Sequence, residues 1–302
     1  MIRKFEMIVR AEKNWLKLLF VWEGSVIKRI IPQLLFMACV SAIALLTDGH
    51  VFGDKIPLNT VPFTLVGVAL TIFMAFRNNA SYDRYWEARK LWGHLLIAIR
   101  GLASIVIAIK RAHPALTPRC DSIVHALRLL PSLLKSQLRG DPLGDVCCAD
   151  TVYKPTVLCH QLRTDLYALN AEGLLSDMQL LSCDEQINEI FNVIGGCERI
   201  KSTPIPFVYS VLLHRTVYIY CLFLPFGLVD IISYATPFIT VFLSYTLFAL
   251  ESIASELADP FAHSPNGLPL DAITRTIERT VLELNGEAIP NDWPVGNDFI
   301  LT

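Results

Sequence analysis

The chain has 302 residues, 53% of them hydrophobic and only 18% charged, with a formal net charge of -2. Soluble domains carry charge on about a quarter of their residues, so a mean hydropathy of +0.45 excludes an ordinary soluble domain and makes the lipid bilayer a partner. The near-neutral charge argues against a nucleic-acid partner.

In chain order, residues 1–29 form a cytosolic N-terminal segment. Charges from Arg3 to Arg29 interrupt it, and it has neither an apolar h-region nor a small-residue cleavage site, so it is read as retained rather than as a signal peptide. Residues 30–76 follow as a transmembrane helical hairpin. The stretches 30–47 and 56–76 contain no charge, and a polar tip at 48–55 joins them. Lys28 and Arg29 before the hairpin and Arg77 after it lie on one side, which the positive-inside rule assigns to the cytoplasm.

Residues 77–203 are expected to be a cytosolic helical region. Leu91, Leu95, Ala98 and Ile99 repeat at helical spacing within a predicted helix over 88–112. Further helices are expected over 123–138, where Pro131 kinks or splits the run, over 153–169, and over 184–194, closing at Gly195-Gly196. Residues 204–258 are a second membrane block, read as helices at 205–229 and 234–256 joined near Asp230. His214 and Arg215 interrupt it. Either they face protein or water, or the block enters the membrane only after Arg215. Residues 259–302 form a cytosolic C-terminal segment, polar and loosely ordered from Asn285. No alternating β pattern, repeat or low-complexity tract is present. The fold class is all-α: a polytopic membrane protein with about four transmembrane helices, a helical cytosolic region and both termini cytoplasmic.

Catalytic chemistry has no foothold. There is no paired-histidine metal motif, no Walker loop, no dinucleotide-binding glycine pattern and no nucleophile elbow. The eight cysteines show no Cys-x-x-Cys spacing and read as reduced, mostly buried thiols. No catalytic residue, metal or cofactor is assigned.

Pro62-Phe63-Thr64-Leu65-Val66-Gly67-Val68, followed by Phe76-Arg77-Asn78-Asn79-Ala80-Ser81-Tyr82-Asp83-Arg84-Tyr85-Trp86-Glu87, closely resembles the signature of bacterial bestrophins. Gly195-Gly196-Cys197-Glu198-Arg199, Thr203-Pro204-Ile205-Pro206-Phe207-Val208-Tyr209, Leu213-His214-Arg215-Thr216 and Asp259-Pro260-Phe261 extend the resemblance in order along the chain. It implies a homopentameric ion channel in the bacterial inner membrane, with a membrane pore and a cytosolic vestibule.

Val68, Ile72 and Phe76 recur at i, i+4 and i+8, on one helical face. Spacing alone fits an ordinary packing stripe in lipid. The resemblance matches these positions to the family's hydrophobic neck, where an apolar constriction resists wetting and gates ions. It also implies a cytosolic constriction at Leu181 or Leu180. Asp177, Asp184 and Glu185 are then candidate vestibule charges; a carboxylate ring there favours monovalent cations, Na+ or K+, over Cl-. In animal members Pro-Phe precedes an acidic calcium-binding run, whereas Phe261 here precedes Ala262-His263-Ser264, so no calcium activation through this segment is expected. The competing functions are a chloride channel of the same fold, a secondary transporter, and a non-conducting membrane scaffold.

Overall fold

The computed structural model describes residues 22, 24–51, 54–55, 60–142 and 151–292. The described residues divide into two units: 22–85 with 204–259, and 86–203 with 260–292.

The first unit is the apolar one. It holds α1 (Ile27–Leu46), the first half of α2 (Thr60–Ala112), α6 (Phe207–Ile232) and α7 (Thr236–Leu257). Three stretches, Ile27–Leu46, Phe63–Ala112 and Phe207–Leu257, are long and apolar enough to cross a membrane. A break at Ser233, whose φ is 43°, and a 3-10 turn at Ser233–Ala235 divide the last stretch into α6 and α7. Only helices whose backbone hydrogen bonds close internally suit such segments. Met37 of α1, Leu70 and Met74 of α2, Val217 and Cys221 of α6 and Phe248 of α7 form the core. Along α7 the buried residues Thr236, Thr240 and Ser244 recur every fourth position, and buried Ser41 and Ala44 mark α1. Small residues at this spacing let membrane helices approach closely.

The tip between α1 and α2 departs slightly from the all-α reading. Asp48 (φ 47°) and Gly49 (φ 74°) turn the chain into a short antiparallel pair, His50–Val51 with Asp54–Lys55.

The second unit packs the second half of α2 with α3 (Thr117–Arg139), α4 (Lys154–Ala171), α5 (Asp177–Ser202) and α8 (Leu270–Asn285). Of the periodic set, Leu95, Ala98 and Ile99 of α2 are fully buried and Leu91 is half-buried; Trp92 and Leu102 are fully buried beside them. Three expectations need correction. The predicted segments 56–76 and 88–112 are parts of one helix, because nothing between them breaks it; residues 56–59 lie outside the described residues. Pro131 does not split the run, since α3 continues through it to Arg139. α5 begins at Asp177, not 184, because Ser176 and Gln179 form a reciprocal capping box. It also continues through Gly195-Gly196 to Ser202. A Cβ on Gly196 would lie 2.9 Å from the Leu91 methyls, so a helix-interior glycine here serves packing rather than termination.

The described part of the C-terminal segment, residues 259–292, contains one helix. α8 was not anticipated, and the residues after it are tied back: Arg275 donates to the Asn291 carbonyl at 3.3 Å and Arg279 pairs with Asp292 at 2.8 Å. The expected cytosolic segment over 1–29 lies mostly outside the described residues, as do Cys147, Cys148 and Pro294.

Candidate functional site

In the first unit, α2 has two opposite faces. Leu70, Met74, Arg77 and Ser81 are buried, at i, i+4, i+7 and i+11, and form the edge packed into the bundle. Val68, Ile72 and Phe76 stand 54%, 50% and 62% exposed. At about 100° per residue, Ile72 points nearly opposite that packed edge, with Val68 and Phe76 about 40° to either side. The protomer therefore holds the three predicted neck residues outward on one stripe. Sequence reasoning missed the upper part of the stripe: Leu65 and Val61, each 66% exposed, continue it by i-3 and i-7 from Val68. The signal was the same periodicity extended one turn and two turns upward.

A polar cluster lies directly after Phe76. Arg77 is almost wholly buried, donates to Ser255 Oγ at 2.9 Å and lies 3.8 Å from Glu251. His214 Nδ1 meets the same Glu251 carboxylate at 2.5 Å. Three helices thus place charged groups at one level, and a buried guanidinium without such partners would be costly. Arg29 and Glu256, 3.2 Å apart, join α1 to α7 nearby in sequence. His214, expected to face protein or water, contacts Glu251 and the Tyr218 ring yet keeps 54% of its side chain exposed on the protomer. Arg215 is exposed and has no partner among the described residues. Arg84 donates to the Ala258 carbonyl at 2.6 Å, and Asp83 is exposed.

In the second unit, Leu180 and Leu181 lie near the start of α5. Leu181 is 54% exposed and Leu180 half-buried. Met178, 76% exposed and three residues before Leu181, extends the apolar face and was missed. Below it Cys183 is buried, and desolvation pushes its thiol up to about 11. The three candidate vestibule charges differ. Asp184 is paired with Arg163 at 2.7 Å, joining α5 to α4. Asp177 accepts from Asn170 Nδ2 at 2.9 Å. Glu185 is exposed with no partner among the described residues.

The segment after Phe261 is closed by protein cations. Asp271 is paired with Lys135, and with Arg139 at 3.3 Å. The fully buried Arg139 also donates to the Phe261 and Leu268 carbonyls at 3.3 and 3.2 Å. Among the described residues no cluster of metal-ligating side chains occurs.

Apolar helices able to span a bilayer, a helical unit with an ordinary buried core, and a long helix displaying an outward apolar stripe define a multi-pass α-helical membrane protein. A family model described as bacterial/fungal bestrophin protein matches residues 7–283. A voltage-dependent anion channel-forming protein of Ralstonia nicotianae is 40% identical over 98% of this chain and 100% of its own length. The protein of that description in Escherichia coli K12, YneE, is 40% identical over 93% of this chain and 95% of its own. A bestrophin homologue from Klebsiella pneumoniae, solved by crystallography, superposes with a TM-score of 0.79 at 38% identity, covering 86% of this chain and 99% of that one. The chain belongs to the bestrophin family, whose members are ion channels and not enzymes.

Proposed function

We propose that this chain is one subunit of a homopentameric, passively conducting anion channel whose neck is lined by Val68, Ile72 and Phe76. The observation that carries the reading is the outward apolar stripe of α2, set opposite the buried edge Leu70-Met74-Arg77-Ser81. Repeated about an axis, it becomes stacked apolar rings, and a narrow ring of this kind resists wetting and imposes a dehydration barrier on ions. Leu181, with Leu180 behind it and Met178 beside it, forms the second constriction.

The four limbs α1, the first part of α2, α6 and α7 cross the inner membrane. The level of Arg77, His214, Glu251 and Ser255 marks the cytoplasmic edge of the apolar region, since charged groups avoid the hydrocarbon unless partnered. On this reading α6 enters the membrane after Arg215, and residues 77–203 and 259–302 lie in the cytoplasm with both termini.

The ion preference departs from the cation selectivity that carboxylates near the second constriction suggested. Of the three carboxylates only Asp184 is paired with a cation among the described residues, Arg163; Asp177, bonded to the neutral Asn170 amide, and the exposed Glu185 keep their charge, so the anion reading rests on the relatives. Two relatives about 40% identical over nearly the whole chain are named as anion channel-forming. Bilayer recording of the purified protein across a NaCl gradient tests this. A reversal potential at the chloride Nernst potential is expected, and one at the sodium potential would overturn anion preference.

A further inference from the structure

In the first unit, Tyr220 of α6 lies against α2 beside an apolar cavity that Phe63, Gly67, Leu224 and Leu247 also line. Tyr220 of α6 stacks flat on Phe63 of α2, with ring centroids 4.5 Å apart and planes 13° from parallel. Its hydroxyl end reaches across to Gly67. A Cβ added at Gly67 would come within 2.7 Å of Tyr220 Oη and 3.2 Å of Cζ. The absence of a side chain at Gly67 therefore sets how closely α2 approaches α6. One face of the Tyr220 ring is covered by Phe63, one turn before Gly67 on α2 itself.

Gly67 immediately precedes Val68, the uppermost of the proposed neck residues. It lies on the flank of the buried edge, about 60° round the helix from Leu70. A push from Tyr220 at this flank is directed across the helix toward the face bearing Val68, Ile72 and Phe76. An α-helix moves as a rod over so few turns, so the push is passed to the whole stripe.

We propose that Tyr220 is a positioning residue for the neck: its contact with Gly67 is the stop that fixes how far α2, and with it the apolar stripe, stands from the conduction axis. The inference rests on the neck reading above. It adds that neck width is set from behind, by an aromatic side chain that never meets the ion. In a closed ring the displacement of every subunit acts on one aperture, and wetting of an apolar constriction depends steeply on its width. Crowding the contact therefore narrows the neck, and emptying it lets α2 settle back and widens it.

The test is single-channel conductance of the full-length protein in planar bilayers, with detergent-solubilised samples checked for unchanged size and melting temperature. Gly67→Ala is expected to lower conductance several-fold, and Tyr220→Ala to raise it, with the same reversal potential in both. Gly67→Ala combined with Tyr220→Phe removes the atom of closest approach and is expected to recover part of the lost conductance. Should Gly67→Ala not assemble, Tyr220→Ala alone decides, because it relieves crowding. A conductance of Tyr220→Ala equal to or below that of the unmodified protein overturns the stop, as does a Gly67→Ala protein that conducts normally. Alanine at Ile72 and Phe76 separates this from failure of the neck itself. If that pair raises conductance while the Gly67 and Tyr220 variants leave it unmoved, the neck stands and the stop falls.

Discussion

Arg139 illustrates how a single residue anchors a segment that sequence patterns leave undefined. Its side chain is fully buried and reaches two carbonyls and the Asp271 carboxylate, so three oxygens of the 261–271 segment are held by one guanidinium. Removing a buried cation strands its partner: about 3 kcal/mol or more is typical for breaking such a pair. Arg139→Met is therefore expected to lower the melting temperature of the solubilised protein markedly. Lys135→Met should cost less, because Lys135 keeps 21% of its side chain in solvent. Equal melting temperatures for the two variants would contradict this ranking. The same residue scale explains the cysteines. The six described thiols are unpaired, and burial pushes Cys159 and Cys197 up to about 12, so they stay neutral and unreactive near neutral pH. The sequence reading of buried, reduced thiols fits five of the six; Cys39 is exposed on the protomer.

At the scale of elements, Gly195 and Gly196 separate two roles that look identical in sequence. A Cβ at Gly195 meets nothing within 4 Å, whereas one at Gly196 would crowd Leu91 at 2.9 Å. Alanine is favoured over glycine in a helix interior by roughly 0.5–1 kcal/mol. Gly195→Ala should thus raise the melting temperature slightly, and Gly196→Ala should lower it or leave it unchanged. The reverse order would contradict the packing of α5 on α2. The doublet was misread as a helix end because glycine next to glycine is a strong breaker signal, and the packing reason belongs to Leu91, more than a hundred positions away. Other misses were legible. The Ser176-x-x-Gln179 capping box announces the start of α5, and Leu270, Thr274, Ile277 and Val281 repeat at helical spacing along α8. The continuity of α2 was written in the lack of any glycine or proline from Arg77 to Trp92.

For the whole molecule, the apolar stretches and the order of the signature motifs were enough to reach family and membrane class, because both are properties of composition and local sequence. Which face of α2 is left uncovered is not such a property. Apolar residues surround that helix on nearly every side in its upper half, and only the burial of Leu70, Met74 and Arg77 distinguishes inside from outside. The charge balance near α5 likewise required coordinates, since Arg163 neutralises Asp184 from a different helix. The central claim is that the outward stripe of α2 faces a conduit, and not acyl chains. Single-channel conductance of the Ile72→Ala, Phe76→Ala double variant, compared with the unmodified protein under symmetric salt, tests it most directly. Shortening side chains that ring a conduit lowers the dehydration barrier, so a several-fold rise in conductance is expected. Conductance unchanged in a correctly assembled double variant would mean that these side chains face lipid, and would contradict the account.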